Sequence, residues 1–149
     1  MGTTNLDSLV LSGNLEVAGT ETITGSVTYA GNVTLGDALG DATTVSGTLV
    51  TSGTTSTSGA GAVAITGTIH EVTTTGTGDA LTLADGAEGQ RLAVVYIAEG
   101  AGGDTAVITP TNFGGGSTIT LNAVGDTVDL IFTNGNWYEL GLGGTAAVA

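Results

Sequence analysis

The chain predicts an all-β protein, and three observations carry that expectation. Its 149 residues include 27 Gly and a single Pro, glycine interrupts nearly every stretch of ten, and no window sustains the 3.6-residue apolar period of a helix. Thr and Val dominate much of the remainder, and their branched side chains suit a pleated surface. Short apolar alternations bounded by Gly, Asn and Asp recur along the chain, which is the pattern of strand and turn.

One phrase returns between Ser12 and Ile69. It reads Ser12-Gly13-Asn14-Leu15-Glu16-Val17-Ala18-Gly19, then Thr24-Gly25-Ser26-Val27-Thr28-Tyr29-Ala30-Gly31, then more loosely Ser46-Gly47-Thr48-Leu49-Val50-Thr51-Ser52-Gly53. A hydroxyl residue and a glycine lead in, two apolar side chains follow at alternate positions, and a small residue with glycine closes the unit, as in a strand-and-turn repeat. Gly36-Asp37-Ala38-Leu39-Gly40-Asp41 interrupts the series and marks an expected bend or break.

Composition sets bounds on function. Leu, Ile, Val and Phe make up about a quarter of the residues and mean hydropathy is +0.37, above the range in which disorder is the default. Fourteen Asp and Glu face a single basic residue, Arg91, for a net charge of −13. Phosphate binding depends on clustered Lys and Arg, so neither nucleic acid nor an anionic membrane surface is an expected partner. Zero cysteines leave the redox compartment open. No signal-peptide pattern or run of about 20 apolar residues is visible, so synthesis in a cytoplasm is expected.

Residues 1–11 place Leu6, Leu9, Val10 and Leu11 within six positions. They read either as the first strand of the repeat array or as an anchor whose aliphatic side chains fill a partner's groove. From Ser12 to Gly40 the apolar residues Leu15, Val17, Val27, Tyr29, Val33 and Leu35 fall on one face of short strands and Glu16, Thr28 and Thr34 on the other. One such face is too little for a self-contained core. Ala42 to Ile69 holds no charged residue, and an uncharged Thr/Val-rich edge aggregates unless it is paired. Three copies wound about a threefold axis close those edges and cover those faces, making Leu15, Val17, Val27, Tyr29, Val33 and Leu35 the expected trimer core.

From His70 onward the strands lengthen and turn signals sharpen. Seven strands are expected at Ile69 to Thr75, Ala80 to Ala84, Arg91 to Ala98, Thr105 to Thr109, Thr118 to Val124, Thr127 to Thr133 and Trp137 to Leu142, the spacing of an antiparallel β-sandwich or jelly-roll-like module. Asn134-Gly135 signals a two-residue type I′ hairpin. Gly114-Gly115-Gly116 reads as a flexible loop and Gly143 to Ala149 as a frayed tail.

The Ser12 and Ser46 phrases resemble the repeats of trimeric bacteriophage fibre proteins. Gly89-Gln90-Arg91-Leu92, Ser117-Thr118-Ile119-Thr120-Leu121, Gly125-Asp126-Thr127-Val128 and Asn134-Gly135-Asn136-Trp137 resemble the C-terminal head modules of phage fibres and capsid-attached fibres. The resemblance implies a β-spiral or β-helix-like trimeric shaft over residues 12–69, behind an anchor at 1–11 and followed by a β head at 70–149. It implies a structural virion protein, a homotrimer attached by its N-terminal end to the major capsid protein or another virion protein. The alternative is a short tail fibre that recognises host surface glycans, with Asp104, Phe113, Trp137 and Tyr138 as exposed recognition residues.

Enzymatic chemistry has little to work with. The chain lacks Cys, Lys and a Gly-x-Ser-x-Gly elbow, so no catalytic residue and no cofactor are expected. His70 reads as a structural or exposed histidine rather than a general base. Asp126, Asp129 and Glu139 would have to stand about 5–10 Å apart for glycoside hydrolysis, and a solvated acidic surface is their default. Asp37 with Asp41 and Asp79 with Asp85 lack the spacing of calcium loops and read as turn-capping residues, so no metal is expected. Trp137 and Tyr138 are adjacent, so one enters the core and the other faces outward or a subunit boundary. Arg91 is expected in a salt bridge.

Overall fold

The computed structural model describes residues 53–149 and, before them, residues 22, 24, 26–30, 42–46 and 50. The chain divides between Ser46 and Gly47. The described residues of the first unit carry neither helix nor strand, and Val27, Tyr29 and Val45 are exposed. The described residues of the second unit form ten strands and no helix: β1 Thr54–Ser58, β2 Gly61–Val63, β3 Ile69–Thr73, β4 Thr77–Leu83, β5 Arg91–Ala98, β6 Thr105–Pro110, β7 Ile119–Leu121, β8 Thr127–Thr133, β9 Asn136–Gly143 and β10 Ala147–Val148.

The strands form two five-stranded mixed sheets, β1-β3-β5-β8-β9 (sheet 1) and β10-β7-β6-β4-β2 (sheet 2). The first six strands alternate between sheets. In sheet 1, β1, β3 and β5 are parallel, with Thr54 opposite Ile69 and Ile69 opposite Ala93. In sheet 2, β2, β4 and β6 are parallel, with Ala62 opposite Thr82 and Thr82 opposite Thr109. After β6 the direction of travel changes. β7 pairs antiparallel with β6 and with β10, and β8 antiparallel with β5 and with β9.

Each of the seven expected strands is present, but the antiparallel arrangement is corrected to a mixed one. Alternation records which side chains are buried, not strand direction, and it is the same for parallel and antiparallel pairs. Direction is decided at the corners. Residues 74–76 and 99–104 carry the chain across to the opposite sheet rather than back along its own. Tyr96 fixes the stacking of these two corners: its hydroxyl lies 2.6 Å from Thr74 Oγ1 and donates to the Asp104 carbonyl at 3.0 Å.

β1 and β2 lie before residue 70 and pair with β3 and β4. Their Thr, Ser and Gly content gives only a weak burial pattern, with Val63 the one apolar side chain they commit to the core. The tail reading of residues 143–149 is also corrected, because Ala147 and Val148 pair with Thr120 and Ile119. The Asn134-Gly135 hairpin is present, with φ of 51° and 74°, the two positive values that a type I′ turn requires.

One core lies between the sheets. Val72, Leu92, Val94, Tyr96, Val128, Leu130, Phe132 and Trp137 come from sheet 1 and Val63, Leu81, Leu83, Ala106, Ile108, Ile119 and Leu121 from sheet 2. Full burial of a Leu, Ile or Val side chain contributes roughly 1.5–3 kcal/mol, and these residues supply the apolar area that β1, β2 and β10 lack.

Candidate functional site

The polar side chains buried within the second unit are His70, Thr74, Asp104 and Asp126. Each is tied into the fold. His70 faces inward from β3 between β1 and the end of β2. The Ala64 N–H donates to Nδ1 at 3.3 Å and Thr55 Oγ1 lies 2.8 Å from the same nitrogen, which makes Nδ1 an acceptor. The proton therefore sits on Nε2, 2.9 Å from Thr57 Oγ1, whose own hydroxyl donates to the Ala62 carbonyl at 2.9 Å. Burial lowers the imidazole pKa, and neighbouring Glu71 only partly opposes that. His70 is a neutral structural histidine.

Asp104 and Asp126 occupy equivalent turns. In each, the aspartate N–H donates to the carbonyl three residues earlier, of Ala101 or Ala123, and Oδ2 accepts that residue's N–H at 2.9 or 3.1 Å. The residue before each aspartate is a glycine at positive φ, Gly103 at 90° and Gly125 at 97°, a conformation open to glycine at little cost. Gln90 closes a third such turn, with its N–H on the Ala87 carbonyl, its Oε1 on the Ala87 N–H and Gly89 at φ 80°. Ala-x-Gly-Asp/Gln thus precedes β5, β6 and β8 alike. The signal is visible in the sequence, and it marks strand entry rather than chemistry.

Asp126 makes further bonds. It also accepts from the backbone N–H groups of Asn122 at 2.7 Å and Thr145 at 2.6 Å, and from the Thr145 hydroxyl. Burial alone pushes a carboxyl pKa up, but here the backbone and hydroxyl donors together outweigh it and the pKa is lowered. Burial also raises the pKa of the Tyr96 phenol, with the Thr74 bond opposing it and nearby Glu99, Asp104 and Asp79 adding to the rise.

The expected recognition residues separate. Asp104 and Trp137 are buried, which corrects their placement as exposed recognition groups and makes Trp137 the member of the adjacent Trp137–Tyr138 pair that enters the core. Asp104 is turned in by the corner it closes. Trp137 packs edge-on against Phe132 at a centroid distance of 5.3 Å and donates its indole N–H to the Ala84 carbonyl at 2.8 Å. Phe113 is half-buried against the core, and Tyr138, half-buried, lies over Gly114. These two share one edge, since Gly114 N–H donates to the Trp137 carbonyl at 2.9 Å.

Asp129 is exposed; Asp79 caps a turn through the Thr75 N–H, whereas Asp85 accepts from the side-chain amide of Asn112 in a different loop, which corrects its turn-capping reading. Among the described residues no group of three His, Cys, Asp or Glu could hold a metal ion, and no helix is long and apolar enough to cross a membrane. No pocket opens among them. Arg91 is exposed on β5 opposite Ile131. The anchor residues Leu6, Leu9, Val10 and Leu11 and the core candidates Leu15, Val17, Val33 and Leu35 lie outside the described residues; Val27 and Tyr29 are exposed in the single chain. No family model matches this chain, and no curated protein or solved structure does so.

Proposed function

We propose that this chain is a structural virion protein, a homotrimeric fibre that decorates a bacteriophage capsid. Its N-terminal residues 1–11 attach to the major capsid protein or another virion protein, the repeats from residue 12 up to β1 carry the shaft, and the C-terminal head, which begins with β1 and β2 rather than at residue 70, projects outward. The observation that carries the reading is the polarity of the second unit. The chain enters at β1 and β2, which form one edge of each sheet, and finishes in the antiparallel strands β9 and β10, which form the opposite edges. A unit whose entry strands run parallel to their neighbours and whose last strands turn back antiparallel suits the tip of a fibre. Its buried polar groups are spent on corners, on turns and, for His70, on the seam between β1 and β3, which supports a structural role. Recognition of glycans gains no such support, because Asp104 and Trp137 are withdrawn into the fold.

Two measurements test this. Sedimentation equilibrium of the full chain is expected to give three copies per particle, and a stable monomer overturns the trimer. Immunogold labelling of purified phage particles that carry the chain is expected to mark the capsid; labelling confined to the tail tip replaces the decoration reading with the tail-fibre one.

A further inference from the structure

His70 is the chain's single histidine, and its hydrogen bonds all reach back to the two strands that precede it. They are to Thr55 Oγ1 and Thr57 Oγ1 on β1, at 2.8 and 2.9 Å, and to the Ala64 N–H just past β2, at 3.3 Å. Thr57 in turn donates to the Ala62 carbonyl on β2. These strands have little else to hold them. β1 is made of Thr and Ser and pairs with β3, β2 is Gly61, Ala62 and Val63 and pairs with β4, and Val63 is their one residue in the apolar core.

A proton on the free nitrogen turns this arrangement against itself, because both nitrogens of the imidazolium are donors. Nε2 keeps Thr57, and Thr55 can swing its hydroxyl to the Ile69 carbonyl at 3.3 Å and accept instead. The Ala64 N–H is backbone and cannot reverse, so donor then faces donor. The new charge also lies on a side chain with no exposed surface, where a charge is costly unless it is paired.

Little counter-charge is at hand. Residues 53–69 hold no Asp, Glu, Lys or Arg. Glu71, next on β3, projects to the opposite face and offsets the effect of burial only in part. On β5 the register partner is Val94, Arg91 is exposed, and the inward Tyr96 is bonded to Thr74 and the Asp104 carbonyl. Asp79 on β4 accepts the Thr75 N–H.

We infer that His70 is a pH latch: neutral, it clamps β1 and β2 onto β3, and protonated in mildly acidic medium it releases those two strands while β3 to β10 stay folded. The release is local because, apart from Val63, the buried core residues all lie outside β1 and β2. The chain enters the sandwich through β1, so the latch governs the first point at which the preceding residues are tied to it.

Amide exchange of the full chain at pH 7.5, 6.5 and 5.5, corrected for the intrinsic rate, tests the latch. Opening of Thr54–Ser58 and Gly61–Val63 is expected to rise by about tenfold for each pH unit from 6.5 down to the folded pKa, the linkage of one proton, with Thr127–Thr133 and Asn136–Gly143 unchanged. His70→Gln cannot titrate, and its exchange in β1 and β2 is expected to be the same at each pH, whatever its level. The carbon-bound ring protons of the single histidine are expected to titrate below 6.5 in the wild type. A loss of protection shared by β8 and β9, no loss at all, the same loss in His70→Gln, or a ring that titrates at or above 6.5 overturns the latch.

Discussion

Nε2 of His70 lies 2.9 Å from Oγ1 of Thr57, and that contact fastens β1 to β3 from inside the sheet. It needs a neutral ring, because the other nitrogen accepts the Ala64 N–H. Burial lowers the folded-state pKa below the ordinary 6.5, so between that lowered value and 6.5 the unfolded chain binds more protons than the folded one. The histidine's contribution is therefore fully present above pH 6.5 and is lost as pH falls toward the folded pKa. Urea midpoints between pH 8 and pH 5 are expected to drop on the acid side of 6.5 in the wild type. The step is expected to be absent in His70→Gln, which cannot titrate; an equal step in that variant assigns the effect to another group.

Asp126 titrates in a different window. Its folded pKa lies below the ordinary 3.8, so its contribution is present above that value and is lost as pH falls through the folded pKa. Asp126→Ala strands the backbone N–H groups of Asn122, Ala123 and Thr145. With a buried unsatisfied donor costing about 1–3 kcal/mol and water reaching part of this turn, a loss of about 2–4 kcal/mol is expected. Asp129→Ala, at an exposed position on β8, is expected within about 0.5 kcal/mol of wild type. Denaturant unfolding of the two variants side by side checks the contrast.

The strands of the second unit were legible wherever alternation was backed by large side chains. Leu92, Val94 and Tyr96 on β5 and Val128, Leu130 and Phe132 on β8 are all buried, as their spacing predicts. Strands made of Thr, Ser, Ala and Gly were not legible, because β1, β2 and β10 are held by register against β3, β4 and β7 rather than by their own apolar content. Pairing direction was hidden for a separate reason: a glycine-rich turn looks the same whether it returns to its own sheet or crosses to the other. Residue roles were legible only in part. An aspartate after glycine looks solvent-facing in sequence, yet Asp104 and Asp126 fold back onto the backbone that precedes them.

Trp137 is the chain's single tryptophan, fully buried and bonded to Ala84. Native fluorescence is expected to be blue-shifted and resistant to acrylamide, with a red shift on unfolding that reports on the second unit alone. Trp137→Ala is expected to cost about 3–5 kcal/mol, and Trp137→Phe less, through loss of the bond to Ala84. Gly86 is the matching position across the contact. A Cβ there meets Trp137 Cζ2 at 2.8 Å and Phe132 Cβ at 3.0 Å, so Gly86→Ala is expected to destabilise by about 1–3 kcal/mol through overpacking. Emission from Gly86→Ala that is unchanged, together with an unchanged denaturation midpoint, would show that the loop accommodates the methyl.

Gly67 controls how β1 joins the sheets. A Cβ at this position runs into the Gly53 carbonyl oxygen and lies 2.8 Å from its carbon, and both partners are backbone, so neither can swing aside. The same Gly53 oxygen accepts the Thr68 N–H at 3.1 Å, while Thr68 passes its own carbonyl on to the Ala93 N–H at 2.9 Å. Gly53 itself holds φ at 132°, a conformation other residues rarely adopt. Gly67→Ala therefore pushes the start of β1 away from the corner that leads into β3. Amide exchange is expected to accelerate in Thr54–Ser58 and at Thr68, with Thr127–Thr133 and Asn136–Gly143 keeping their protection. Faster exchange spread evenly over all ten strands would instead mean that β1 is part of one cooperative unit with the core, and that its loss unfolds the whole sandwich.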